Sequence, residues 1–224
     1  DYDLDPKKPT LLWYVIQRAQ ESVWQVQDQV TGSARPRPIT LGHCTKIALF
    51  TEEQLDRLAE LCSQPNVRGT VTFVALPPSD LYMQGRDAPY ATRSRATLPA
   101  HELTRRGIRC AFGVNNVQNL FTPQGDADPA ALWPLLVGVW ESAKPEDMRS
   151  LAAMATTSAA HAAGLQTPAF DEAVASPDSY RNAVLFDGCQ SVRDLVLAPP
   201  AGRITIYNGR FVSRRTVESW MAVD

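Results

Sequence analysis

The sequence predicts an α/β fold carrying a small β-rich tail. Three observations carry this reading. Apolar β-branched runs alternate with helical periodicities, three strand-and-helix units follow one another in that order, and a strong hairpin signal stands near the end. At 224 residues, 44% hydrophobic and 21% charged, the chain can bury a sizeable core, which excludes a disordered or fibrous protein.

Pro9 opens a helical pattern in which Leu12, Val15, Ile16, Ala19, Val23, Val26 and Val30 recur at three- and four-residue spacing, ending at Gly32-Ser33. Pro38-Ile39-Thr40-Leu41-Gly42-His43 reads as a strand that delivers His43 at its C-terminal end. Thr51 caps the next helix, whose buried stripe is Leu55, Leu58, Ala59 and Cys62. Gly69 to Leu76 is a strand by its β-branched content, and Pro77-Pro78 stops it. A polar loop then carries Ser79, Asp80, Gln84, Gly85 and Arg86.

A short helix around Leu98 to Arg106 leads to a buried strand at Ile108 to Gly113, and the Pro- and Gly-rich run Phe121-Thr122-Pro123-Gln124-Gly125 reads as a loop. Helices follow at about Pro129 to Ser142 and Pro145 to Ala163, the second closed by Gly164. In the tail, Val184-Leu185-Phe186 and Ile204-Thr205-Ile206-Tyr207 are strand-like. Asn208-Gly209 is a two-residue turn, and Arg210-Phe211-Val212 returns.

With a formal net charge of -2 and basic residues scattered among acidic ones, the chain shows no nucleic-acid footprint. Its densest basic region, Arg93, Arg95, Arg105, Arg106 and Arg109, reads as a solvated face. No apolar run approaches the roughly 20 residues that cross a bilayer. No signal-peptide pattern opens the chain, so no membrane partner and a cytoplasmic location are expected. Cys44, Cys62, Cys110 and Cys189 form no CxxC pair, which fits reduced thiols. The start at Asp1 rather than methionine fits a piece of a longer polypeptide.

Asn115 draws attention because it stands at the C-terminal end of the strand in Arg109-Cys110-Ala111-Phe112-Gly113-Val114-Asn115-Asn116, the functional end in parallel β/α architectures. His43 holds the corresponding place on an earlier strand, either in a chemical role or as a hydrogen-bonded structural histidine. Asp80 and Arg86 suit the planar donor and acceptor edges of a polar heterocycle, the alternative being a mutual salt bridge that pins their loop. Gln124-Gly125 is a lid or a simple turn. His161 reads as a packing or surface residue, His101 as solvated, and the five tryptophans as packing residues.

The ordered motifs His43, Met83-Gln84-Gly85-Arg86 and Phe112-Gly113-Val114-Asn115 carry a family resemblance. So do the tail runs Ala183-Val184-Leu185-Phe186 and Ile206-Tyr207-Asn208-Gly209-Arg210-Phe211-Val212. Over most of residues 37 to 214 the chain resembles the C-terminal half of the amidohydrolase superfamily, most of all its cytosine deaminase group. The resemblance implies the C-terminal part of a (β/α)8 barrel at residues 1–168 and a small β-rich subdomain at 169–224.

It also implies His43 and Asn115 in catalytic positions, with Asp80, Gln84, Arg86 and Asn116 facing substrate. The family's metal-binding aspartate falls at Asn115, and Asp1-Tyr2 aligns with the acidic pair of its His-Cys-Asp-Glu motif. Asn115 offers only a neutral carbonyl oxygen and cannot accept a proton at neutral pH, so ordinary metal-dependent deamination would be impaired. Zinc or iron would need its remaining ligands from another chain.

Three barrel strands would leave unpaired edges and an exposed apolar face, whereas a closed barrel takes eight. The expected partner is therefore an N-terminal barrel half, as a second polypeptide or a cleaved precursor. The expected function is action on a carbon–nitrogen bond of a small cyclic amide, amidine or nucleobase-like substrate. The alternatives are a metal-free pocket that binds, isomerises or cyclises a small molecule, and a purely structural subunit.

Overall fold

The first helix, α1 (Leu12–Glu21), buries Leu12, Ile16 and Ala19 along one face, and Trp13 stacks on Phe50 at 5.3 Å. The computed structural model describes residues 2–21, 25–27, 32, 34–165, 182–218 and 220. The helix stops well short of the expected Val30. Val26 lies instead in β1 (Gln25–Gln27), paired antiparallel with β2 (Ala34–Pro36), while Val23 and Val30 fall outside the described residues. Val26 fits a helical spacing, but β-branched residues are stiff at χ1 and favour strands, and at Val26 local pairing won.

Next in the chain come β3 (Ile39–Gly42), a 3₁₀ turn (Thr45–Leu49) and α2 (Glu52–Ser63), which opens on a reciprocal capping box between Thr51 and Gln54. Of the expected α2 stripe, Leu55 and Leu58 are buried, while Ala59 and Cys62 are only half-buried. β4 (Val71–Ala75) is buried almost throughout, as its β-branched and aromatic content predicts for a central strand.

Pro77-Pro78 ends β4 as expected but opens α3 (Pro77–Met83), not a loop. Proline has no N–H to lose at the first turn and its fixed φ suits helix entry. Only Gln84, Gly85 and Arg86 lie beyond the helix. α4 (Ala100–Arg105) leads to β5 (Cys110–Phe112), again fully buried. β3, β4 and β5 form one parallel sheet in that order, with Gly42 opposite Val74 and Ala75 opposite Phe112.

The helix expected from Pro129 divides into a 3₁₀ turn (Pro129–Leu132), capped by the Asp128 carboxylate, and α5 (Trp133–Val139). The next divides at Thr156 into α6 (Pro145–Ala155) and α7 (Thr157–Ala162), closed by Gly164 at φ 76°. In the tail, β6 (Ala183–Phe186), β7 (Arg203–Tyr207) and β8 (Arg210–Arg215) make an antiparallel sheet. Asn208 and Gly209 both take positive φ in its hairpin.

Between β6 and β7 stands α8 (Val192–Leu197), which the sequence reading missed although Ser191 caps it by accepting from the Asp194 N–H. The fully buried Val196 of α8 joins the main core, which α5 and α6 also line. Trp133 packs on Phe186 at 6.2 Å, and Arg203 pairs with Asp128. No helix among the described residues is long and apolar enough to cross a membrane.

Because the three central strands are parallel, their C-terminal ends share one edge. There Leu76 fills the space between Gly42 and Gly113, where an added Cβ would stand 3.7 Å and 3.6 Å from its two methyl carbons.

Candidate functional site

His43 leaves β3 at this edge. Its N–H donates to the Val74 carbonyl at 3.1 Å, and His43 and Cys44 then take φ of 63° and 47°, turning the chain sharply out of the sheet. Consecutive non-glycine residues in the left-handed region cost on the order of 1 kcal/mol each and persist only where surroundings hold them. The holding group is Asp80 on α3: its Oδ1 lies 2.6 Å from His43 Nδ1, and its Oδ2 accepts from the Thr97 hydroxyl at 2.7 Å.

The Asp80 side chain is fully buried, and burial pushes its carboxyl above the usual range against the pull of the His43 and Thr97 hydrogen bonds. An ionised carboxylate only accepts, so Oδ1 favours a proton on His43 Nδ1, and in the neutral imidazole that leaves the Nε2 lone pair free. The His43 side chain is 31% exposed, which leaves that edge open to a ligand.

Tyr2 closes one side. Its ring meets His43 edge-on at 5.0 Å and 85°, and its carbonyl accepts from Thr45 Oγ1 and, at 3.2 Å, from Gln84 Nε2. Burial and the Asp80 charge raise the Tyr2 phenol, so it stays neutral. The segment behind it is fastened by Lys46, whose Nζ donates to the Lys8 carbonyl at 2.8 Å and lies 3.4 Å from Asp3.

The other expected residues are placed as follows. Gln84 is buried and its amide is already committed, Nε2 to Tyr2 and Oε1 to the Ala96 N–H at 2.8 Å. Arg86 does not pair with Asp80: it stacks over Tyr82 at 4.7 Å on the outer surface. Asn115 follows β5 on the same edge, exposed and at φ 59°. No hydrogen bond among the described residues links it to the His43–Asp80 pair.

Asn116 lines a small cavity of about 140 Å³ with Pro78, Thr122, Gln124 and Leu135. The Thr122 hydroxyl, also at this cavity, is buried without a partner among the described residues, and Gln124 Nε2 donates to the Pro78 carbonyl at 3.3 Å.

His101 is not solvated: it stacks on Trp140 at 5.8 Å, and burial pulls its pKa down. His161 packs, its Nε2 lying 2.8 Å from the Gly69 carbonyl oxygen. Thr97 escaped the sequence reading, since nothing local marks it as the partner of a residue 17 positions away.

The described residues do not by themselves fit a metal ion, since no group of three or more His, Cys, Asp or Glu converges. Cys44 and Cys110 are pushed by burial to about 11 and about 12, so neither is a ready thiolate. All four cysteines are free thiols.

A histidine backed by a buried carboxylate thus stands at the C-terminal edge of a parallel sheet, the end where α/β proteins commonly place polar small-molecule sites. Comparison with known proteins narrows the class. The chain matches no protein-family model. It is 27% identical over 177 residues to a pterin deaminase of Rhizobium rhizogenes, covering 79% of this chain and 38% of that one.

Its fold matches a 5-methylcytosine deaminase from Klebsiella pneumoniae at a TM-score of 0.73 and 17% identity, over 99% of this chain and 48% of that one. It also matches an N-isopropylammelide isopropylaminohydrolase from Burkholderia multivorans at a TM-score of 0.61 and 18% identity, over 79% and 39% respectively. Together these point to the amidohydrolase superfamily, cytosine deaminase-like. The chain spans less than half the length of each of these relatives.

Proposed function

We propose that this chain supplies one half of an amidohydrolase-type β/α barrel that hydrolyses a carbon–nitrogen bond of a small cyclic, nucleobase-like substrate. The observation that carries the reading is the His43–Asp80 contact at the C-terminal edge, which leaves Nε2 as an open proton acceptor. The similarity to a pterin deaminase and the fold shared with a 5-methylcytosine deaminase support the substrate class.

In such a reaction water adds to the ring carbon that bears the exocyclic amine, the C–N bond breaks, ammonia leaves and a ring carbonyl remains. His43 takes the proton from the attacking water and returns one to the departing amine. Asp80 is a positioning residue that fixes the His43 tautomer. The other barrel strands, and any metal ligands, belong to an N-terminal half.

The test uses the purified chain together with any polypeptide that co-purifies, assayed for ammonia release from a pterin and from cytosine. His43→Gln should lower kcat by at least about 100-fold, and Asp80→Asn should lower kcat more than it changes KM. Full activity in His43→Gln overturns the reading.

Asn115 favours a second reading, a metal-free pocket that binds or rearranges its ligand, because its neutral amide neither holds a metal well nor accepts a proton. Saturable pterin or cytosine binding without ammonia release, together with metal uptake gained in Asn115→Asp, would select it.

A further inference from the structure

At the opposite, N-terminal end of the sheet, a cleft of about 610 Å³ opens between the last turns of α2 and the connection from α4 to β5. Its walls are apolar, with Ala59, Val67, Val71 and Ile108, and its charged side chains are Arg68, Arg106 and Arg109. Among the described residues no aspartate or glutamate lines it. Cys62 adds no negative charge either, because burial pushes its thiol up to about 12.

The three guanidinium groups differ in their counter-ions. Arg106 is neutralised by Glu52, by Asp56 at 3.1 Å and by Glu102 at 2.9 Å. Among the described residues Arg109 has only a neutral partner, donating to the Gly69 carbonyl at 2.9 Å, and Arg68 takes part in no ion pair. Burial disfavours the Arg109 charge and nothing acidic offsets it. A partly desolvated cation without a counter-charge is costly, and a bound anion relieves that cost.

We infer that this cleft binds a phosphate-bearing small molecule, held by Arg68 and Arg109 with its organic part against the apolar wall. A carboxylate is satisfied by one planar guanidinium fork, whereas two arginines lining one cleft from separate segments suit a tetrahedral dianion. The volume is that of a small-molecule pocket and exceeds what a bare ion needs. Gly69 and Gly107, both at positive φ with open space where a Cβ would stand, leave the floor clear. The site lies at the other end of the sheet from His43 and is independent of the reaction proposed there.

Calorimetric titration of the purified chain, with any co-purifying polypeptide, tests this using inorganic phosphate and adenosine monophosphate as probes. Saturable one-to-one binding is expected, weakening with added salt. It should fall at least about tenfold in Arg68→Ala and in Arg109→Ala and stay within about twofold in Arg149→Ala, an exposed arginine outside the cleft.

Arg68 is exposed and its side chain makes no hydrogen bond among the described residues, so Arg68→Ala remains informative should Arg109→Ala fail to fold. Tighter binding of the monophosphate assigns the site to a phosphorylated organic molecule; binding of inorganic phosphate alone assigns it to the free ion. No saturable binding of either probe, or equal loss in Arg149→Ala, overturns the inference.

Discussion

Asp80 carries more of the site than any other single residue, because one buried carboxylate fixes both the orientation and the tautomer of His43. Nitrogen-15 NMR should show a His43 proton on Nδ1. In Asp80→Asn, whose amide can flip to accept or to donate, both tautomers should be populated; an unchanged single tautomer would remove Asp80 from the positioning role.

Little of this arrangement was legible beforehand. His43 and Asp80 were both singled out in the sequence, yet 37 residues separate them, and their pairing depends on β3 and β4 lying side by side. In the sequence Asp80 reads as a substrate ligand because a carboxylate suits a planar donor edge, whereas in the fold its two oxygens meet His43 and Thr97.

At the scale of elements, the connection from α3 to α4 is tightened at Gly85. Its φ is 67°, and an added Cβ would stand 2.8 Å from the Ser94 carbonyl oxygen. Gly85→Ala should therefore destabilise the protein by about 1–3 kcal/mol and loosen the neighbouring Gln84 clamp on Tyr2, read as a lowered melting temperature. Full retention of the wild-type melting temperature would show that the connection gives way freely.

On α4, Glu102 is pushed up by partial burial, but its hydrogen bond from Arg106 and the neighbouring His101 and Arg105 hold it, on balance, below its ordinary value. A depressed carboxyl stabilises the fold above its unfolded pKa, and that contribution is lost as pH falls through the folded value. After solvent screening it is worth about 0.5–1 kcal/mol. Glu102→Gln should be less stable than wild type at pH 7, and the two melting temperatures should converge as the pH falls below the ordinary glutamate range. A gap that persists in acid would show that the loss is one of packing.

The elements themselves were mostly readable, since β4 and β5 announce themselves as continuous apolar runs and α2 by its cap. The exceptions share a cause. Val26 and the Pro77-Pro78 pair each satisfy two local rules, and neighbours in space decide between them.

Across the whole molecule, β3 and β5 each have one neighbour in the parallel sheet, so both outer edges lack a strand among the described residues. The same chain covers 99% of its own length but only 48% of the 5-methylcytosine deaminase whose fold it shares. We propose that an N-terminal barrel half pairs with these edges. Native purification with intact-mass measurement should recover a stoichiometric second polypeptide or a longer precursor. A stable monomer of this chain alone, with slow amide exchange along β3 and β5, would argue against it.

The sequence by itself determined the order of β3, α2, β4, α4 and β5, the parallel pairing implied by that order, and the edge on which His43 and Asn115 stand. Those follow from periodicity, turn chemistry and strand direction, all of which are local. Only the tertiary structure decided that Asp80 and Thr97 support His43, that Gln84 holds Tyr2 and that Arg86 faces away, because burial and hydrogen-bond partners depend on segments brought together across the chain.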